Sequence, residues 1–98
     1  MKYKILFHPQ AAREVEKLDN RVKLLVFKQI KKLSLTPRLG HELGNKQGLD
    51  LSGYRKTYAD KKKLRIIYKF ADGTVFVQII AVGKRESMEA YKNAAKRI

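Results

Sequence analysis

The spacing of apolar positions changes several times along the chain, and each change marks an element. KYKILF (residues 2–7) alternates, with Tyr3, Ile5 and Phe7 on one face and Lys2 and Lys4 on the other, which predicts a strand. His8-Pro9 breaks it, Pro9 suiting the first turn of a helix and His8 reading as a capping or surface residue. The period then becomes helical. Ala11, Ala12, Val15 and Leu18 share a face, while Arg13, Glu14, Glu16 and Lys17 fall mostly outside it. Asp19-Asn20 interrupts and suits the cap of a second helix. There Val22, Leu25, Val26, Ile30 and Leu33 form a longer stripe that ends before Thr36-Pro37. Two helices so closely joined predict an antiparallel hairpin.

Residues 37–53 carry four of the six glycines and read as a loop. No GxxxxGK[ST] occurs there, so it is not a phosphate-binding loop. Three strand-like runs follow: YRKTYA (54–59), KLRIIYKF (63–70) and, after the turn Ala71-Asp72-Gly73, VFVQIIAV (75–82). In the second run Leu64, Ile66, Tyr68 and Phe70 share one face, and Lys63, Arg65, Ile67 and Lys69 the other. The third is apolar on both faces, as a central strand is. Residues 86–97 read as a helix with Met88, Tyr91, Ala95 and Ile98 along one side. The order strand, helix, helix, three strands, helix predicts an α+β fold in one domain spanning residues 1–98. A mainly antiparallel four-stranded sheet would carry the helical hairpin on one face and a short C-terminal helix, leaving its other face available.

Composition adds a partner. Twenty-three Lys+Arg against nine Asp+Glu give +14 on 98 residues, with a pI near 10.2. The excess is spread along the chain rather than held in a tail, which points to a polyanion: nucleic acid, a ribonucleoprotein or an acidic protein. There is no cysteine and hence no disulfide framework or thiolate metal site. No run approaches the roughly 20 apolar residues of a membrane span, and no stretch has a signal peptide's apolar core. A soluble cytoplasmic protein without membrane partner is expected.

Candidate chemistry gathers on the available face. The alternation places Arg55 and Thr57 on one strand beside Lys63, Arg65 and Lys69 on the next, with Lys84 and Arg85 at the end of the third. Such cations would form a phosphate-binding patch. Lys56, between Arg55 and Thr57, is predicted to point the other way, although it belongs with the phosphate ligands Arg55, Lys84 and Lys69. Tyr54, Tyr58 and Tyr68 read as core residues with surface hydroxyls; Tyr91, by helical spacing, is placed over the strand end that carries Arg85. His8 and His41 lie far apart with no HExxH and no carboxylate cluster, so no metal site and no small-molecule cofactor is expected. His41 in its loop is chemically reasonable as a ribonuclease base but reads as solvated.

GYRKTY, LRIIYKF and VGKRESMEAY, with the helix that follows and the order of elements, resemble the RelE/ParE superfamily of bacterial toxins across essentially the whole chain. The GKRE…Y ending is closer to the RelE branch, ribosome-dependent messenger RNA endonucleases, than to the gyrase-directed ParE branch. The resemblance implies a metal-independent mRNA interferase: the ribose 2′-hydroxyl attacks the adjacent phosphate and the 5′-oxygen leaves. By the same resemblance Arg65 clamps the scissile phosphate, Arg85 lies near the reacting groups, and Tyr91 stacks on or orients the nucleotide. It implies as partners the ribosome with its mRNA, and a cognate acidic antitoxin that is disordered when free and covers or displaces the C-terminal helix. One departure is visible. Family members offer two lysines on the strand before Arg65, and the matching positions here are expected to be Arg55 and Thr57. Arginine stays protonated at physiological pH, so Lys63 is expected to serve as the base. A gyrase inhibitor without nuclease activity, or a non-toxic basic nucleic-acid-binding module of the same fold, are the competing readings.

Overall fold

The computed structural model describes residues 2–70 and 73–97. Ala71 and Asp72 of the expected turn, and Ile98 of the expected helix face, lie outside these. Strand β1 (Lys4–Phe7) leads into α1 (Pro9–Glu16), which His8 caps as its Nδ1 accepts a hydrogen bond from the Gln10 N–H at 3.1 Å. Asp19 caps α2 (Asn20–Leu35) through the Val22 N–H at 2.9 Å. Both caps satisfy donors that the first helical turn leaves without partners. The helices bury Ala11, Val15, Val26, Ile30 and Leu33, the stripe that their spacing predicts.

The glycine-rich stretch holds more order than a loop. A single 3-10 turn (Pro37–Leu39) precedes three two-residue strands, β2 (His41–Glu42), β3 (Asn45–Lys46) and β4 (Leu49–Asp50). Then come β5 (Arg55–Ala59), β6 (Leu64–Lys69), β7 (Phe76–Lys84) and α3 (Glu89–Lys96). The main sheet has five strands in the order β1-β7-β6-β5-β2, one more than expected, because β2 adds to the β5 edge. Its pairs are antiparallel apart from β1 and β7. A two-residue strand leaves no alternation to read, and for that reason β2 was invisible to patterning.

Strand β7 lies between β1 and β6 and is buried on both faces. On one face Val77, Ile79 and Val82 pack with Leu64, Ile66 and Tyr68 beneath the helical hairpin. On the other, Ile80 and Ala81 pack with Ile67, Leu43, Leu51 and Tyr54 beneath Ala90, Tyr91 and Ala94 of α3. That face is therefore partly covered, not open as the pattern suggested. Gly83 lets α3 approach: a Cβ there would stand 3.4 Å from the Ala90 Cβ. The expected helical start at residue 86 also moves. Residues 85–88 form a turn, with the Ser87 N–H bonded to the Lys84 carbonyl at 3.3 Å, and the helix begins at Glu89.

Tyr68 departs from the expected surface hydroxyl. The side chain is fully buried, its hydroxyl donating to the Pro37 carbonyl at 2.7 Å and accepting from the Gly40 N–H at 2.8 Å. Burial pushes its pKa up. This pair of bonds ties the start of the glycine-rich stretch to the centre of the sheet.

Candidate functional site

The register of β5 and β6 decides which side chains meet. Tyr58 stands opposite Arg65, and Arg65 in turn opposite Gly83 of β7; Lys56 stands opposite Ile67. Paired residues of adjacent strands share a face, so Lys56 and Tyr58 stand with Arg65 under α3. Arg55 and Thr57 face the helical hairpin instead. This reverses the expected parity of β5. The Thr57 hydroxyl accepts from the Gln29 amide at 2.7 Å. Arg55 donates to the Gly40 carbonyl at 2.8 Å and to Glu42 at 3.0 Å, so it is engaged in holding β2 to the edge.

Arg65 is the centre of the cluster. Its residue is 8 % exposed, and its guanidinium lies 4.1 Å from the centroid of the Tyr91 ring, itself buried at 4 %. One terminal nitrogen donates to the Ser87 carbonyl at 2.9 Å. Its Nε–H is buried without a hydrogen-bond partner, and among the described residues no carboxylate pairs with it. Taking a cation out of water without an anion is costly, and the ring and one carbonyl compensate only in part.

Around it stand Lys56, whose ammonium lies 5.4 Å from the Tyr58 ring, and Arg85, whose guanidinium lies 5.5 Å from the same ring. Tyr91 was expected over Arg85; it covers Arg65 instead, and Arg85 projects over Tyr58. Hydrogen bonding to Tyr58 raises the pKa of Lys56 above 10.5, with burial opposing and Tyr91 adding. The same interaction lowers the pKa of Tyr58 below 10.0, opposed by burial and assisted by the charge of Arg65. Tyr58 was expected in the core. The signal that could have placed it in the site is its pairing with Arg65, which only the strand register supplies.

The other expected residues lie on the flanks. Lys63 precedes β6, where its carbonyl accepts from the Arg85 N–H at 3.0 Å. Lys63 and Lys84 are exposed and line, with Leu18 and Val22, an open groove of about 540 Å³ that Arg85 borders. Lys69 shares the Arg65 face four residues further along β6, its ammonium 5.6 Å from the Tyr54 ring. The hairpin tip between β5 and β6 is wound left-handed at Asp60, Lys61 and Lys62, with φ of 53°, 53° and 67°. His41 is exposed and pairs with Lys56 across β2 and β5. Among the described residues no three His, Cys, Asp or Glu side chains come together as a metal would need. Among the described residues no helix is long and apolar enough to cross a membrane.

Comparison with known proteins gives a consistent result. A family model described as the ParE toxin of the type II toxin–antitoxin system parDE matches residues 5–89. The mRNA interferase toxin RelE of Escherichia coli K12 is 34% identical over 101 residues, covering 100% of this chain and 99% of its own. A putative RelE-like toxin protein of Escherichia coli is 28% identical with the same coverage. Among solved structures, a double arginine-to-alanine mutant of E. coli toxin RelE in the free state superposes with a TM-score of 0.77 at 31% identity, covering 100% of this chain and 99% of that one. The RelBE2 toxin–antitoxin complex of Mycobacterium tuberculosis gives 0.70 at 28% identity, covering 87% and 100%. The fold expected from the order of elements therefore agrees with relatives matched over nearly their whole length, and this chain belongs to the RelE/ParE family of type II toxins.

Proposed function

We propose that this toxin is a ribosome-dependent endoribonuclease that cleaves translated mRNA by attack of a ribose 2′-hydroxyl on the adjacent phosphate. The observation that carries the reading is the buried, unpaired Nε of Arg65 among Lys56, Tyr58, Arg85 and Tyr91. A phosphate supplies the anion that Arg65 lacks, and the cations then stabilise the charge that develops on phosphorus oxygens in the transition state. Arg85 is exposed and meets the phosphate first. Direct contact with Arg65 requires the 85–88 turn to swing away, because Ser87 and Tyr91 cover the guanidinium. Lys84, Lys63 and Lys69 contact neighbouring backbone phosphates, and Tyr91 stacks against the nucleotide once released. Arg55, held by Glu42 and the Gly40 carbonyl, keeps the sheet edge in place.

The groups present are feeble acids and bases at neutral pH, so positioning must supply much of the rate, and a ribosome holds its message in one geometry. The E. coli relative at 34% identity is named an mRNA interferase. A cognate acidic antitoxin is the second partner; solved relatives include toxin–antitoxin complexes. The test is a primer-extension map of a message translated in a bacterial cell-free extract. Discrete cuts are expected with the wild-type chain, absent with Arg85→Ala and absent without ribosomes. With purified ribosomes and deproteinised message, cutting should persist when EDTA is added after ribosome assembly at a level that leaves ribosomes intact. An uncut message overturns the nuclease reading and turns attention to gyrase.

A further inference from the structure

Strand β5 brings one ionisable hydroxyl into the centre of a cationic cluster. Tyr58 has Lys56 beside it on its own strand, Arg65 directly opposite on β6, and Arg85 over its ring from the end of β7. From α3, Tyr91 reaches the same lysine. On the hairpin side, Lys28 and Lys32 of α2 and the carboxylate of Asp60 border the groove that Tyr58 also lines. Asp60 is paired with Arg21 at 3.3 Å, so the balance around Tyr58 is positive. Lys56 and Arg65 act on a hydroxyl that is half-buried and still reachable, and Arg85 lies over its ring.

We infer that Tyr58 is the catalytic base, its oxygen taking the proton of the attacking 2′-hydroxyl, an assignment that rests on the endoribonuclease reading above. A phenolate there is stabilised by Lys56 and Arg65, whereas hydrogen bonding to Tyr58 and Tyr91 favours the protonated form of Lys56, and an arginine cannot release a proton. The lowered pKa of Tyr58 and raised pKa of Lys56 agree with that division. In the step, the phenolate oxygen gains the 2′-proton and the 2′-oxygen forms its bond to phosphorus. The bond to the 5′-oxygen breaks with its electron pair on that oxygen, which takes a proton from the Lys56 ammonium. The adjacent Tyr58 hydroxyl then returns a proton to Lys56, and the pair is reset. Two other groups compete for the role. Lys63 lines the exposed groove bordered by Leu18 and Val22, and His41 stands opposite Lys56 at the β2 edge of the sheet.

The test is single-turnover cleavage of ribosome-held message between pH 6 and 9, with ribosome affinity measured in parallel. Wild-type rate should climb with pH across this range. Tyr58→Phe keeps the ring and its cation contacts; it should lose about 100-fold or more in rate, lose the climb, and bind ribosomes as before. Tyr58→His should recover part of the rate with a limb near the ordinary histidine value of about 6.5. Wild-type rate in Tyr58→Phe, or a pH limb that vanishes in Lys63→Ala or His41→Ala, overturns the assignment while leaving the nuclease reading intact. A wild-type chain that cuts nothing overturns both.

Discussion

The Arg65 guanidinium lies 4.1 Å over the Tyr91 ring while its Nε–H, buried, meets no acceptor. A side chain selected for stability alone would not leave a cation there without an anion. Replacing such a charge by an apolar side chain of similar length is often neutral or stabilising. Arg65→Met is therefore expected to keep its unfolding free energy within about 1 kcal/mol of wild type or above it, while cleavage falls at least 100-fold. Urea denaturation and primer extension on the same preparation check the two halves. A loss above about 3 kcal/mol would mark Arg65 as a structural pin for α3.

Glu14 of α1 is the clasp of the C-terminal helix. One carboxylate oxygen accepts from the Val82 N–H at 3.0 Å and from Arg97 at 2.8 Å; the other accepts from Arg97 at 2.9 Å and Asn93 at 3.3 Å. Beyond the Phe7–Ile79 pair β1 has ended, and the carboxylate takes its place beside β7. Glu14→Ala leaves Val82 and Arg97 without this partner, at a cost of about 1–3 kcal/mol. The loss should be local: amide exchange of residues 89–96, and of Val82 itself, rises well before that of β6 and the rest of β7. Equal acceleration throughout would refute the clasp.

Tyr68 makes stability depend on alkaline pH. Its folded pKa is raised by burial above the ordinary 10.0, so above pH 10 the unfolded chain releases a proton that the folded chain retains. Stability is complete below the unfolded value and is lost as pH rises towards the folded one. Tyr68→Phe removes that dependence but leaves the Gly40 N–H and Pro37 carbonyl unpaired, costing about 1–3 kcal/mol at neutral pH. Melts of the two proteins from pH 8 to 11 should therefore converge as pH rises.

The helical hairpin, the faces of β6 and the doubly buried β7 were legible because each has a run long enough for its period to show. The cations and tyrosine of VGKRESMEAY were legible, though not their pairings: Arg85 lies over Tyr58, and Tyr91 over Arg65. Strand β5 was misread for a physical reason. YRKTYA sets Tyr54, Lys56 and Tyr58 on one face and Arg55, Thr57 and Ala59 on the other, each with a cation among less polar residues, so its pattern does not choose which of the two faces the hairpin. A one-residue slip exchanges them, and the choice is made by the hairpin tip, where three successive left-handed residues set Tyr58 against Arg65. Lysine at φ above +50° is not a turn signal that sequence reveals. Residues 86–88 were taken into the helix because nothing local shows that Ser87 will turn its carbonyl to a distant arginine.

That register makes two arginines testably unlike. Arg85 is exposed over Tyr58, while Arg55 is spent on Gly40 and Glu42 at the β2 edge. Binding driven by phosphate neutralisation weakens linearly on a logarithmic salt scale, with a slope of about one per cation engaged. Arg85→Ala should lower the slope for ribosome binding by about one and leave the melting temperature unchanged. Arg55→Ala should do the reverse: the slope stays, and stability falls by about 1–2 kcal/mol as β2 loosens. Measuring affinity from 50 to 300 mM salt alongside thermal melts separates the outcomes. If Arg55→Ala lowers the slope with no thermal effect, the polyanion lies across the β2 edge, and the site beneath α3 is not where the backbone is gripped.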